Sequence, residues 1–160
     1  MPSLSLPVLF AFALVSTAVP ASAAPDLVKW RSIAAGEKEA SSSGKPILYF
    51  LTAEWCGPCH MMKRAVFQDQ QAADFINKEY IPVEVMDQMA EAGRNPPDVQ
   101  RVQVRFQLRG YPTLVVARPG TGEAVTTPPG WNNKEDTVRF LKSARQQIEL
   151  AEKSRKKAAR

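Results

Sequence analysis

The sequence predicts an α/β domain, a mixed central sheet of four to five strands flanked by helices on both faces. Three observations carry that expectation. Residues 47–52 are continuously apolar, as a strand covered on both sides requires. Helix-forming and strand-forming stretches alternate along most of the chain, which suits parallel strands linked by crossover helices. The alternation breaks at Pro119-Gly120-Thr121-Gly122, a turn between two short strand candidates, so the sheet finishes in an antiparallel hairpin. At 160 residues the chain is long enough for one such domain and an accessory segment.

Taken in order, residues 27–30 form a short edge strand or a lead-in to the domain. Residues 33–43 read as a small helix stopped by Gly44-Lys45-Pro46. The strand at 47–52 runs into Glu54-Trp55-Cys56-Gly57-Pro58-Cys59-His60, and a helix begins at the cysteines and continues to about Phe67. Asp69 suits the N-cap of a second helical piece, 70–78, with Ala72, Phe75 and Ile76 facing inward. The next strand is 81–86, with Pro82 near its start. Residues 87–97 form a polar connection, and Pro97 is placed to open a helix through Phe106. Gly110 ends that stretch, a strand follows at 113–117, and its hairpin partner is 124–127. After Pro128-Pro129-Gly130-Trp131 a terminal helix starts at Asn132, with Glu135 as the capping-box acid. Its apolar face is Val138, Leu141, Ala144 and Ile148. Trp30 and Trp131 are packing residues, and Met61-Met62 spans rim and core.

Cys56 and Cys59 are the only two cysteines. Their spacing fits one helical turn, so the sulfurs can be bonded or left as a dithiol with little backbone movement. A bridge closing so small a loop removes little chain entropy and is a poor staple. A redox couple is the better reading of a Cys-x-x-Cys at a strand-to-helix junction. The same residues with His60 also satisfy Cys-x-x-Cys-His, the c-type haem attachment pattern, but that leaves the preceding apolar strand and Gly110-Tyr111-Pro112-Thr113 without a purpose. His60, the only histidine, then reads as a partly exposed first-turn residue. No metal-ligand cluster, phosphate loop or serine-type triad stands out, and no cofactor is expected.

The amino-terminal segment reads as a secretory signal, 1–23, with an apolar run at 4–19 and the small-x-small pattern Ala21-Ser22-Ala23. Pro7, Ser16 and Thr17 break the run too often for a comfortable membrane span of about 20 apolar residues. An uncleaved anchor is the alternative, since no Lys or Arg precedes the run. The domain is assigned to 24–150 and a basic tail to 151–160. That tail carries Lys153, Arg155, Lys156, Lys157 and Arg160 against Glu152, which accounts for four of the five net positive charges. The remainder is near neutral, which argues against nucleic acid as a partner. A solvated helix end, or contact with an anionic surface, explains the tail.

Residues Ala53-Glu54-Trp55-Cys56-Gly57-Pro58-Cys59, with Gly110-Tyr111-Pro112-Thr113 and Gly130 following in order, resemble the thioredoxin family. The segment 67–83 looks more like its exported or periplasmic branch, and the likeness spans roughly 30–144. The resemblance implies the thioredoxin fold, a monomer, protein disulfide substrates and, in the periplasm, recharging by a membrane electron donor. It further implies that Cys56 attacks and Cys59 resolves. Trp55, Gly57, Pro58, Tyr111, Pro112 and Gly130 then line the substrate groove, with Tyr111–Pro112 cis. The Gly57-Pro58 dipeptide points to a reductase more than an oxidant. A binding or folding-assistance module without turnover is the rival from another class.

Lowering a thiol pKa from about 8.5 to about 7 raises thiolate at neutral pH about 15-fold. The accompanying fall in nucleophilicity, roughly fivefold, leaves only about a threefold gain. Positioning by the proline loop must therefore carry more of the rate. One departure from the family stands out. Thioredoxins place a buried acid in the strand before the motif, and here that position is Phe50. The lysine that usually neighbours the acid aligns with Val83. Proton handling for Cys59 then falls to Glu84, Glu54 or water.

Overall fold

The computed structural model describes residues 27–159; the predicted signal segment and Arg160 lie outside the described residues. Four strands form one sheet in the order β2-β1-β3-β4, with β1 at Ile47–Ala53, β2 at Ile81–Asp87, β3 at Thr113–Ala117 and β4 at Ala124–Thr126. β1 runs parallel to β2 and antiparallel to β3, which pairs antiparallel with β4. All seven residues of β1 are buried. Leu48 and Phe50 face one core, and Ile47, Tyr49 and Leu51 face the other.

The first core is roofed by α2 (Gly57–Met62), α3 (Gln70–Glu79) and α6 (Lys134–Ala158), through Met62, Ile76 and Leu141. The second is covered by α1 (Ile33–Ser43) and α5 (Pro97–Arg105), through Ile33, Ala40, Val99 and Val102. The α/β class and the mixed sheet are as the sequence predicts. The cap residues explain where the helices begin. Ser32 and Asp69 each accept an amide of their helix's first turn, meeting donors that have no partner within the helix.

Six local expectations are corrected. The terminal helix is capped by Asn133, not Asn132, whose Oδ1 accepts the Asp136 amide at 2.8 Å. Asp136, not Glu135, completes the cap by accepting from Asn133 Nδ2. The register that buries Leu141, Ala144 and Ile148 decides between two asparagines of equal capping chemistry. The polar connection holds a single helical turn, α4 at Met89–Ala92, closed by Gly93 in the left-handed region at φ 68°. The helix after Pro97 stops at Arg105, one residue short. At the domain entrance it is Arg31, rather than residues 27–30, that bridges β2 beside Val83. The helix from the cysteines reaches Phe67, but its last five residues, Lys63–Phe67, widen into a π-turn.

The basic residues 151–158 continue α6 rather than leaving it. Arg118 and Arg155 pair with Glu152 and Glu123 across that end of the molecule. Among the described residues no helix is long and apolar enough to cross a membrane.

α1 lies so close to the sheet that a Cβ on Gly36 would fall 2.1 Å from Val83 Cγ2, and Val83 is fully buried. Gly36→Ala must therefore push α1 off β2. The expected loss is about 1–3 kcal/mol, read as a lower urea midpoint with an unchanged slope.

Candidate active site

β1 ends at Ala53, and the Cys56 amide donates to the Ala53 carbonyl at 3.1 Å. That tight turn sets Cys56 as the N-cap of α2, with Pro58 in the first turn, where its missing N–H leaves no bond unmade. Cys56 and Cys59 are joined, with their Cα atoms 5.2 Å apart. Both are almost wholly buried, at 3% and 1% exposure, so burial alone does not rank them. Their backbone surroundings do. The Cys59 amide donates to Cys56 Sγ at 3.2 Å, a donor placed where negative charge on that sulfur would sit. His60 is half-buried, and its Nε2 lies 2.7 Å from the Glu54 carbonyl, tying the helix to the turn before it.

The second half of the site comes from the loop entering β3. Thr113 pairs with Leu51 across the sheet, which brings the preceding residues to the same end of β1. The Tyr111–Pro112 peptide is cis. The Tyr111 ring meets Trp55 edge to face, with centroids 5.8 Å apart, and Trp55 is 61% exposed. Gly130 donates its amide to the Pro112 carbonyl at 2.9 Å and adopts φ 103°, a conformation that favours glycine. The predicted residues Trp55, Cys56, Gly57, Pro58, Cys59, Tyr111, Pro112 and Gly130 are thus gathered at one end of the sheet. Beside Gly130 lies a cleft of about 420 Å³, lined in part by Met62, Trp131 and Phe140.

Residues 33–145 match the family model described as a thioredoxin-like domain. The chain belongs to the thioredoxin-like family. A thioredoxin of Acidithiobacillus ferridurans is 31% identical over 107 residues, 67% of this chain and 86% of that protein. A protein disulfide-isomerase of Datisca glomerata is 32% identical over 104 residues, 65% of this chain and 18% of its own length. Among solved structures, the DsbH oxidoreductase overlays with a TM-score of 0.62 at 22% identity, covering 85% of this chain and 95% of that one. Family membership and the bonded cysteine pair together make the chain a thioredoxin-like disulfide oxidoreductase.

Within this thioredoxin-like site, Phe50 is fully buried, where thioredoxins carry an acid. It packs against Trp30 and Phe67, with centroids 5.6 and 4.9 Å away. Glu84 stands opposite Phe50 in register, and Lys63, the first residue of the π-turn, meets it. The Lys63 ammonium lies 2.5 Å from Glu84 Oε1, as an ion pair out of line for a hydrogen bond. The same ammonium sits 5.8 Å from the Phe50 ring centroid. Glu54, the other candidate for proton handling, is exposed.

Sequence reasoning missed Asp87. Its carboxylate accepts from the Tyr111 hydroxyl at 2.7 Å, from Asn95 at 2.7 Å and from Gln103 at 2.8 Å, while the Met89 amide meets its other oxygen. Burial works against the charged form, but the bonds from Asn95, Tyr111 and Gln103 outweigh it and hold the carboxyl below its ordinary range. For Tyr111, burial and the neighbouring carboxylate both push the phenol well above its usual value. The only sequence hint of Asp87 is an acid at the end of an apolar strand.

Because the Asp87 carboxyl is depressed in the folded state, its stabilising effect is complete above the ordinary value of 3.8. That effect fades as pH falls through the lower folded-state value. Urea midpoints measured between pH 7 and pH 2 are expected to drop more steeply below pH 4 for wild type than for Asp87→Asn. Parallel curves would contradict the assignment.

Proposed function

We propose that the chain is an exported thiol–disulfide oxidoreductase that reduces disulfides in protein substrates. The observation that carries this reading is the meeting of Cys56 with Trp55, Tyr111, Pro112 and Gly130 at the carboxyl end of β1. An extended substrate segment lies across Trp55 and the backbone of Tyr111, ahead of the cis proline, docking by main-chain hydrogen bonds as an added strand does.

In the reduced enzyme the Cys56 thiolate attacks one sulfur of the substrate disulfide. A mixed disulfide forms, and the other substrate sulfur leaves as a thiolate. Cys59 then attacks Cys56 Sγ, closing the intramolecular bond and releasing the second substrate thiolate. Two electrons pass to the substrate, and the enzyme ends in the bonded form. The Cys59 amide stabilises the first thiolate. With Phe50 inert, and Glu84 engaged by Lys63, solvent takes the proton of Cys59. A membrane partner facing the exported side returns the enzyme to its dithiol, and the basic end of α6 is suited to an anionic surface there.

Insulin reduction by wild type, Cys56→Ser and Cys59→Ser tests the cycle. Cys56→Ser is expected to fall to the uncatalysed background, and Cys59→Ser to accumulate a mixed disulfide with the substrate. Equal, negligible rates for all three would instead favour a binding module. The Gly57-Pro58 dipeptide supports a reduction potential near about −270 mV rather than about −120 mV, read by equilibration with glutathione. A value at the oxidising end would overturn the direction. Export is tested by fractionation and amino-terminal sequencing, with a mature chain beginning at Ala24 expected; an intact Met1 in the membrane fraction would indicate an anchor.

A further inference from the structure

We infer that Asp87 is a positioning residue for disulfide exchange, holding Tyr111 so that Tyr111 and Trp55 form a fixed wall of the substrate groove. This inference rests on the docking groove proposed above. Asp87 is 7% exposed, and its partners are neutral: a phenol, two side-chain amides and a backbone N–H. Burying a carboxylate is unfavourable unless its oxygens are well bonded. Four stretches of chain supply those bonds: Met89 opening α4, Asn95 ahead of α5, Gln103 on α5, and Tyr111 before β3.

The surrounding bonds hold the donors in turn. Asn95 Oδ1 receives the Gln88 amide at 2.6 Å, and Asn95 Nδ2 reaches Gln103 Oε1 at 3.2 Å. Gln103 Nε2 donates to the Tyr111 oxygen at 3.0 Å as well as to Asp87. The phenol oxygen is therefore held as donor to one group and acceptor from another, which fixes the ring in place and in rotation. A charge-assisted bond is stronger than a neutral one, so the carboxylate restrains the ring better than an amide would.

The outward end of this network is functional in position. Tyr111 directly precedes the cis proline, and its ring supports Trp55, the exposed residue beside Cys56. Freed from Asp87, the tyrosine ring can rotate, and Trp55 loses its edge-to-face support. The wall then has to be ordered when substrate binds, which weakens docking of a long substrate. The cysteine pair is untouched. A small disulfide that does not span the wall is therefore attacked as before.

The test compares wild type, Tyr111→Phe, Asp87→Asn and the double variant on insulin and on 2-hydroxyethyl disulfide. Each single variant is expected to raise KM for insulin roughly tenfold, equivalent to about 1.4 kcal/mol, with kcat within about twofold. For Asp87→Asn, rates on the small disulfide and the reduction potential should stay unchanged. The double variant should be no worse than either single one, because Asp87 acts through the hydroxyl that Tyr111→Phe has already removed. An unchanged KM, equal losses on both substrates, or additive losses would overturn the inference. Should Asp87→Asn fail to fold, Tyr111→Phe decides alone by its KM ratio between the two substrates. Failure of wild type to reduce either disulfide would sink the proposed function itself. A working wild type with indifferent variants would sink only the role given to Asp87.

Discussion

β1 is buried along its whole length, and where it stops determines where every group in the site stands. Its neighbours on both sides, β2 and β3, are aligned by register, so three separate pieces of chain finish at one level. From β1 comes the turn that delivers Cys56. From β2 comes Asp87, paired with Ala53. Toward β3 comes Pro112, one residue before the Thr113–Leu51 pair. Sheet register places these groups at distances that side-chain flexibility alone would not fix, and it does so with backbone hydrogen bonds shielded by two cores. The chemistry at the tip inherits its geometry from seven buried residues that take no part in it.

Replacement of the usual buried acid by Phe50 changes how the site is supported. An unpaired carboxylate at that depth would be unfavourable to ionise. The aromatic ring instead joins Trp30 and Phe67 in a packed cluster, contributing apolar burial and edge-to-face contacts. The charged groups beside this cluster are those of the Lys63–Glu84 ion pair. Lys63 stands where α2 passes into the π-turn. Charged groups still stand near the face that carries the cysteines, but they are bound to each other.

Much of the fold was legible because its elements announce themselves locally. The apolar run of β1, the Pro-Gly turn before β4, Asp69 as a helix start and Gly44 as a helix stop all act through neighbours in sequence. The cysteine pair and the proline loop were legible for the same reason. What stayed hidden depends on distance or on register. α4 is one turn without periodicity, and choosing between Asn132 and Asn133 required knowing which residues of α6 face the core. The partners of Asp87 lie 2, 8, 16 and 24 positions away, spread over a loop, a helix and the approach to β3, so no single element's repeat brings them together. The π-turn has no compositional mark at all.

The length of α6 has a consequence for reach. Its first turns stand by the redox tip, where Lys134 pairs with Asp69 and Phe140 helps line the cleft beside Gly130. Its last turns stand at the opposite end of the sheet, where Arg155 meets Glu123 near the start of β1. At 25 residues the helix measures about 37 Å. The helix joins the cationic end of the molecule to the end that carries the sulfurs as a stiff strut rather than a slack tether. A surface met by one end would stand at a set distance from the other.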